Sequence, residues 1–343
     1  MKKIVLLTLL SLVTKISKAQ DIDALLAAGV DNAERFAQDY LEPGTNGLMH
    51  SMNANWFNTA DAKPLGGFEI SIIANAAQAD DTHKSFLMDI SDYNSDPDQD
   101  FTIEFEDLAN SKNVATALGE NESDVNIIIT FEDPILGEQQ ETITLPSGIG
   151  DSSANLLPTA YLQGALGLSK GIELKARFIP KINTDDIDLS MYGAGLQIEF
   201  TKWLPADKLL PVALSGLVAY THLDGSYSLT DSGIQGENQR LENNTNTWLF
   251  QLIASTKLPV INFYGGLGII KGTSESDLLG SYELQSGPFF SETVVDPFSV
   301  SSEVSAVRGT IGTKLKIGFF RLNAEYHLSE FNAFSVGINF GFR

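Results

Sequence analysis

The sequence predicts an all-β protein, a transmembrane antiparallel β-barrel of about 14 strands with a short N-terminal helical plug. Three observations carry that expectation. Beyond residue 66, long stretches alternate apolar and polar residues with period two. These segments run about 9–12 residues, the length of a tilted strand crossing a bilayer. Aromatic residues also gather near segment ends (Trp203, Tyr220, Trp248, Phe263, Phe319, Phe320, Tyr326), as in the girdles at the two membrane interfaces.

The chain opens with an address. Lys2 and Lys3 precede an apolar run, Ile4 to Val13, and a polar tail ending Lys18-Ala19-Gln20. That layout predicts a secretory signal peptide over residues 1–19, cleaved near Ala19. The run is too short to span a bilayer as a helix, and no later stretch is long and apolar enough. Export into an outer membrane as a barrel follows as the expectation.

Residues 20–62 read as a helical hatch. From Asp21 to Tyr40, the residues Ile22, Leu25, Leu26, Val30, Ala33, Phe36, Ala37 and Tyr40 form one stripe at helical spacing. Asp21 is the expected cap, Gly29 a bend, and Pro43-Gly44 the stop. A small-residue stretch follows, ending Asn53-Ala54-Asn55-Trp56-Phe57-Asn58-Thr59-Ala60. The plug candidates are Leu25, Leu26, Val30, Phe36, Trp56 and Phe57.

Residues 63–343 read as the barrel with acidic external loops. In Phe334 to Phe342, Phe, Val, Ile, Phe and Phe alternate with Ser335, Gly337, Asn339 and Gly341. Ile172, Leu174, Ala176 and Phe178 alternate with Glu173, Lys175 and Arg177. Counted back from the C-terminus, strands are expected near 333–342, 320–328, 304–317, 260–271, 246–257, 209–222, 187–202, 171–180 and 157–168. Weaker segments lie near 66–75, 82–90, 101–106, 124–132 and 139–145. The connectors alternate between short and mostly longer ones, as periplasmic turns and external loops do. Ser329 to Asn332 is a tight turn on the long side. Residues 76–156 hold eighteen acids and only Lys84 and Lys112 as lysines, so they read as acidic and partly external.

This layout resembles the superfamily of long-chain fatty acid transporters of Gram-negative outer membranes. In that family an N-terminal hatch plugs the lumen, and the link to the first strand often contains Asn-Pro-Ala. Trp56-Phe57-Asn58-Thr59-Ala60 stands in that place, with Thr59 where the proline would be, and Gly66-Gly67-Phe68-Glu69-Ile70 follows. The terminal Gly337-Ile338-Asn339-Phe340-Gly341-Phe342 resembles the aromatic signal for barrel insertion, with Arg343 after it. The resemblance implies a plugged channel passing hydrophobic or amphiphilic small molecules, with outer-membrane lipid and the barrel-insertion machinery as partners. Other members of that superfamily are secretion or scaffold barrels, which imply a protein partner at the acidic loops. A general porin is a further alternative.

Composition removes other classes. A net charge of −22 argues against nucleic-acid binding, which needs a basic surface. The absence of cysteine excludes disulfides, thiolate metal sites, cysteine nucleophiles and a lipoprotein anchor. His50, His83, His222 and His327 are scattered, and no nucleophile elbow or phosphate loop occurs. No enzyme activity, cofactor or metal is therefore expected. Asp92, Asn94, Asp96, Asp98 and Asp100 carry the alternating oxygens of a calcium loop, but Pro97 stands where such a turn demands glycine. That leaves weak divalent binding open beside a solvated acidic loop.

The informative charges are those that parity turns away from lipid. They are Glu173, Lys175, Arg177, Glu199, Lys257, Lys314, Lys316, Arg321, Glu325 and His327. A lipid-facing Lys or Arg at mid-depth would cost about 2–4 kcal/mol. Glu173, Lys175, Arg177, Glu199, Arg321, Glu325 and His327 are the candidates for a lumenal binding site. The plainer alternative is mutual pairing that fills the lumen.

Overall fold

The computed structural model describes residues 26, 29–96, 99–120, 125–133, 136–148, 156–184, 186–205, 210–229, 236–286 and 290–342. The expected signal segment and Leu25 lie outside them. In chain order, helix α1 (Val30–Met52) is followed by β1 (Phe68–Gln78). Five short strands come next: β2 (Ser85–Asp89), β3 (Phe101–Phe105), β4 (Ser111–Ala115), β5 (Asn126–Asp133) and β6 (Gly137–Thr144). Then follow β7 (Leu156–Ser169), β8 (Ile172–Asn183), β9 (Ile187–Glu199), β10 (Val212–Ser228), β11 (Arg240–Thr256) and β12 (Ile261–Leu279). A hairpin of β13 (Ser281–Ser286) and β14 (Phe290–Val295) precedes β15 (Phe298–Ile317), β16 (Phe320–Leu328) and β17 (Asn332–Phe342).

Ten strands close the barrel, in the order β1-β17-β16-β15-β12-β11-β10-β9-β8-β7. This corrects the expected fourteen. All ten wall strands fall where period-two segments were read, while the other four upstream segments give β2, β3, β5 and β6, which with the unexpected β4 form two small sheets outside the wall, β2-β4 and β3-β5-β6. The cause is visible at β1. It pairs with β17 from Phe68↔Phe342 to Gln78↔Asn332 and with β7 from Phe68↔Leu166 to Gln78↔Leu156. Both edges of β1 are thus filled along its length, and no place remains for a further strand. Residues 79–155 are an insertion into the β1–β7 connection.

The wall also corrects several strand ends. β12 and β15 run to Leu279 and from Phe298, beyond the expected 271 and 304. The outward side chains explain why. On β10 they read Val212, Leu214, Val218 and Tyr220, then His222 and Asp224. On β11 they read Leu252, Phe250 and Trp248, then Asn246 and Asn244. On β12, Leu267 and Ile269 give way to Lys271, Thr273 and Glu275, and on β15, Ile311 and Val307 give way to Ser305, Glu303 and Ser301. The change falls along one register line, Tyr220↔Trp248↔Lys271↔Ser305. Apolar alternation ends along this line, while the hydrogen-bonded wall continues above it as a polar collar. Val212 to Tyr220 covers about 20 Å at about 3.3 Å per residue and a tilt near 40°, close to the apolar band of such barrels. Phe200, Trp203, Phe263 and Phe319 are exposed at the opposite edge. Among the described residues no helix is long and apolar enough to cross a membrane.

Helix α1 departs from its expected bounds. Gly29, with φ of 92°, is its N-cap, and the helix continues through Pro43 and Gly44 to Met52. Proline costs a hydrogen bond inside a helix. Here packing overrides that cost: Met49 and Met52 are fully buried among lumen-facing wall side chains. The Thr45 hydroxyl donates to the Glu42 carbonyl and lies 2.6 Å from the Ser302 hydroxyl of the collar. One face of the first half of α1 packs in a separate core outside the barrel. Phe36 packs there with Met88, Tyr93, Ile103, Phe105, Ile127 and Ile129 of the insertion. We call this unit the head.

Candidate functional site

Inside the apolar belt the lumen is filled by residues 49–63 of a strap, residues 49–67, that descends the inside of the wall. Its course is read against β7. Ser51 meets Thr159, 2.8 Å between hydroxyls. The Tyr161 hydroxyl donates to the Ala54 carbonyl and Gln163 Nε2 to the Asn55 carbonyl. Gly66 N–H then donates to the Gly167 carbonyl at the short-turn end.

A non-helical backbone in a closed barrel cannot rely on bulk water for its hydrogen bonds, and a buried unpaired group costs about 1–3 kcal/mol. Wall side chains supply the partners. Arg308 Nη2 donates to the His50 carbonyl (2.6 Å) and Arg177 Nη1 to that of Met52 (2.7 Å). Gln197 Nε2 donates to the Thr59 carbonyl (3.0 Å). The Ser255 hydroxyl accepts from Ala60 N–H, and the Ser215 hydroxyl donates to the Ala60 carbonyl. Glu199 accepts from Ala62 N–H (2.7 Å), Lys202 donates to the Ala62 carbonyl, and Glu173 accepts from Lys63 N–H (2.9 Å).

Charge is concentrated at the short-turn end. Glu69 receives Arg321 at 2.6 Å, Lys314 at 3.2 Å and Asn58 at 2.8 Å. Glu173 is held by Lys175 at 2.6 Å and Lys63 at 3.3 Å. Glu199 is held by Lys202 at 3.1 Å, with Lys257 at 3.7 Å. Burying carboxylates this deeply is tolerated only with such pairing. Above this layer the Arg177 guanidinium stacks between two rings, 3.6 Å from the Trp56 centroid and 4.2 Å from that of Tyr161. A desolvated cation–π contact is worth about 2 kcal/mol. The wall makes room for the indole at Gly195, where an added Cβ would lie 3.1 Å from the Trp56 ring.

The placement of the expected residues is mixed. Glu173, Lys175, Arg177, Glu199, Glu325 and His327 are buried inside the barrel, and Arg321 reaches Glu69. Trp56 and Phe57 are buried in the lumen. The other plug candidates are not at membrane level. Phe36 belongs to the head, Leu26 packs with Leu229, Leu278 and Tyr282 at the tops of the wall strands, and Val30 is half-buried at the start of α1. The hatch therefore enters from the long-loop end, because its apolar stripe matches the head and not the polar wall. Parity reasoning left out Arg308 and Glu69, although both lie on lumen-facing positions of their strands. It also could not tell that Gln163, Gln197, Ser215 and Ser255 serve a backbone and not a ligand.

A second polar cluster sits higher. His327 Nε2 lies 2.9 Å from Glu325 Oε1, and His327 Nδ1 lies 3.0 Å from the Thr310 hydroxyl. Both Glu325 oxygens, Arg308 Nε and Nη1, and both ring nitrogens of His50 are buried without a hydrogen bond in good geometry. In the head, Asn94 is committed to structure: its Oδ1 accepts from Ile103 N–H, and its Nδ2 donates to the Ile103 carbonyl. Asp98 and Pro97 lie outside the described residues. Among the described residues, no group of three or more His, Asp or Glu is placed to hold a metal ion. Burial raises the Asp39 carboxyl above its ordinary range, against the opposing pull of Arg35, and burial pushes the Tyr93 hydroxyl up.

Residues 1–342 match the model of a family described as "Family of unknown function (DUF6588)". The chain belongs to that family. No curated protein sequence matches this DUF6588 member. Solved structures similar to it include the translocator domain of the autotransporter NalP from Neisseria meningitidis, at 12% identity and TM-score 0.29, covering 83% of this chain and 90% of that one. The transport unit of the autotransporter AIDA-I from Escherichia coli matches at 9% identity and TM-score 0.29, covering 88% and 98%. The outer membrane channel DcaP of Acinetobacter baumannii matches at 10% and 0.17, covering 81% and 96%. TM-scores of this size carry no residue role or activity across to the DUF6588 chain.

Proposed function

We propose that this protein is an outer-membrane β-barrel held closed by its own strap, which anchors an acidic external head that docks a protein partner. The single observation that carries this reading is the capture of the strap backbone, from His50 to Lys63, by wall side chains. A gate that moves aside would leave those donors and acceptors unpaired together. The apolar belt and the aromatic C-terminal strand support the outer-membrane placement and insertion through the barrel-assembly route. The insertion at the long-loop end supplies a folded surface on which a partner can dock.

The second reading is passage of amphiphilic or hydrophobic small molecules, the activity the fatty acid transporter resemblance implies. The buried polar atoms of Glu325, Arg308 and His50 that lack a well-formed hydrogen bond favour it, since they mark a polar seam beside the plug. Against it stands the ten-strand wall, where the resemblance implies about fourteen strands. Proteoliposomes separate the two readings. A fluorescent long-chain carboxylate and small sugars should both enter no faster than in protein-free vesicles. Carboxylate uptake above that background would overturn the closed-anchor reading in favour of transport.

A further inference from the structure

We infer that the barrel holds its N-terminal segment across the membrane, so that Leu26 and the start of α1 stand at the cell exterior. This rests on the outer-membrane reading above. The inference comes from the direction of travel. Leu26 and Ala33 pack against Leu229, Leu278 and Tyr282, at the top of the polar collar of the wall. Gln38 exchanges hydrogen bonds with the Ser301 backbone, at 2.8 and 3.1 Å. The His50 carbonyl has reached Arg308, Met52 and Ala54 have reached Arg177 and Tyr161, and Lys63 has reached Glu173. Gly66 and Gly67 are stitched to Gly167, one turn from the Ser169–Ile172 connection.

Along β7 the contacts thus descend from Leu157, against Gly47, to Gly167. Ten residues of tilted strand correspond to about 25 Å of height, the full apolar band. Short connections mark the periplasmic end and long ones the exterior. The short end carries Lys170-Gly171 and Gly318-Phe319, and the long end carries the insertion 79–155. The segment therefore runs inward from the exterior, opposite to a hatch that enters from the periplasm. Once Lys63 has paired with Glu69 and Glu173, withdrawal would separate it from both carboxylates and break the hydrogen bonds that Glu199 and Glu173 accept from the strap backbone, which keeps the topology fixed.

The chain lacks cysteine, so each introduced thiol is the only one present. Glu34→Cys and Asp31→Cys report from exposed positions on α1, Glu237→Cys from a long loop, and Lys170→Cys from a short turn. Intact cells are treated with a membrane-impermeant maleimide, before and after the outer membrane is permeabilised. The expected result is that the two α1 reporters label as fully as Glu237→Cys in intact cells, while Lys170→Cys labels only after permeabilisation. If the α1 reporters behave like Lys170→Cys while Glu237→Cys labels at once, this inference falls and the outer-membrane reading stands. If Glu237→Cys itself stays silent until permeabilisation, the outer-membrane orientation fails and takes the inference with it.

Discussion

The N-terminal segment passes through two environments that hold it by different physics. In the head, α1 presents Phe36 to an apolar core built from Met88, Tyr93, Ile103, Phe105, Ile127 and Ile129. Its backbone is satisfied within the helix, so the surroundings need supply only apolar surface. In the lumen the strap is mostly non-helical, and the wall answers with hydrogen bonds to its main chain and with carboxylates paired to Lys63. The comparison teaches that hydrophobic burial attaches the head, whereas polar complementarity seals the barrel. The two attachments should fail independently.

The largest effect is expected at Arg177→Ala. It removes the stack on Trp56 and Tyr161 and unpairs the Met52 carbonyl and Gln163. The cost should be about 3–5 kcal/mol, as for breaking a buried charged network. Urea unfolding in detergent micelles measures it, and a loss below about 1 kcal/mol would show that the strap is not anchored there.

Phe36→Ala should cost about 3–4 kcal/mol by cavity formation, confined to the head. Amide exchange should quicken in β3 and β5 while β10 and β11 keep their protection. Uniform loss across the wall would erase the distinction between the two regions. Gly195→Val sharpens the lumenal side. Its branched side chain meets the Trp56 ring and the Ala219 methyl, and overpacking should cost about 1–3 kcal/mol. A neutral result would mean that the indole has room to move.

The smallest effect is electrostatic and lies in the head. The folded-state carboxyl of Asp39 is raised by burial, so folding favours its protonated form. Wild type is therefore penalised above the ordinary aspartate range, and the penalty disappears as pH falls below about 4. Asp39→Asn should slow amide exchange in the head at pH 7 and should lose that advantage at acid pH. Equal effects at both pH values would assign the gain to packing instead.

The ten wall strands were legible because a strand with one apolar and one polar face must alternate, and β17 with Phe334 to Phe342 shows this plainly. The strands of the head alternate too, since Ile103 and Phe105 also face a core. Period two reports a buried face and not which body buries it, which is why the expected count reached fourteen. The upper wall was invisible for the opposite reason. Beyond Trp248 and Lys271 its outer face meets water, so apolar spacing stops although pairing continues. The end of α1 was misplaced because Pro43 and Gly44 are local signals, while Met49 and Met52 answer to walls distant in sequence. The lumenal charges were placed by parity, but their partners on the strap were not. Backbone groups leave no trace in side-chain pattern, and Gln197 or Ser255 reads the same beside a ligand or beside a captured main chain.

The most direct test of the sealed lumen is planar-bilayer conductance of the refolded chain lacking residues 1–19, run beside the Arg177→Ala variant. The account predicts correctly inserted protein that is electrically silent, and fluctuating openings once the Arg177 anchor is gone. Stable open-channel steps from the unmodified chain would contradict it, because they require a continuous water path where the strap is placed.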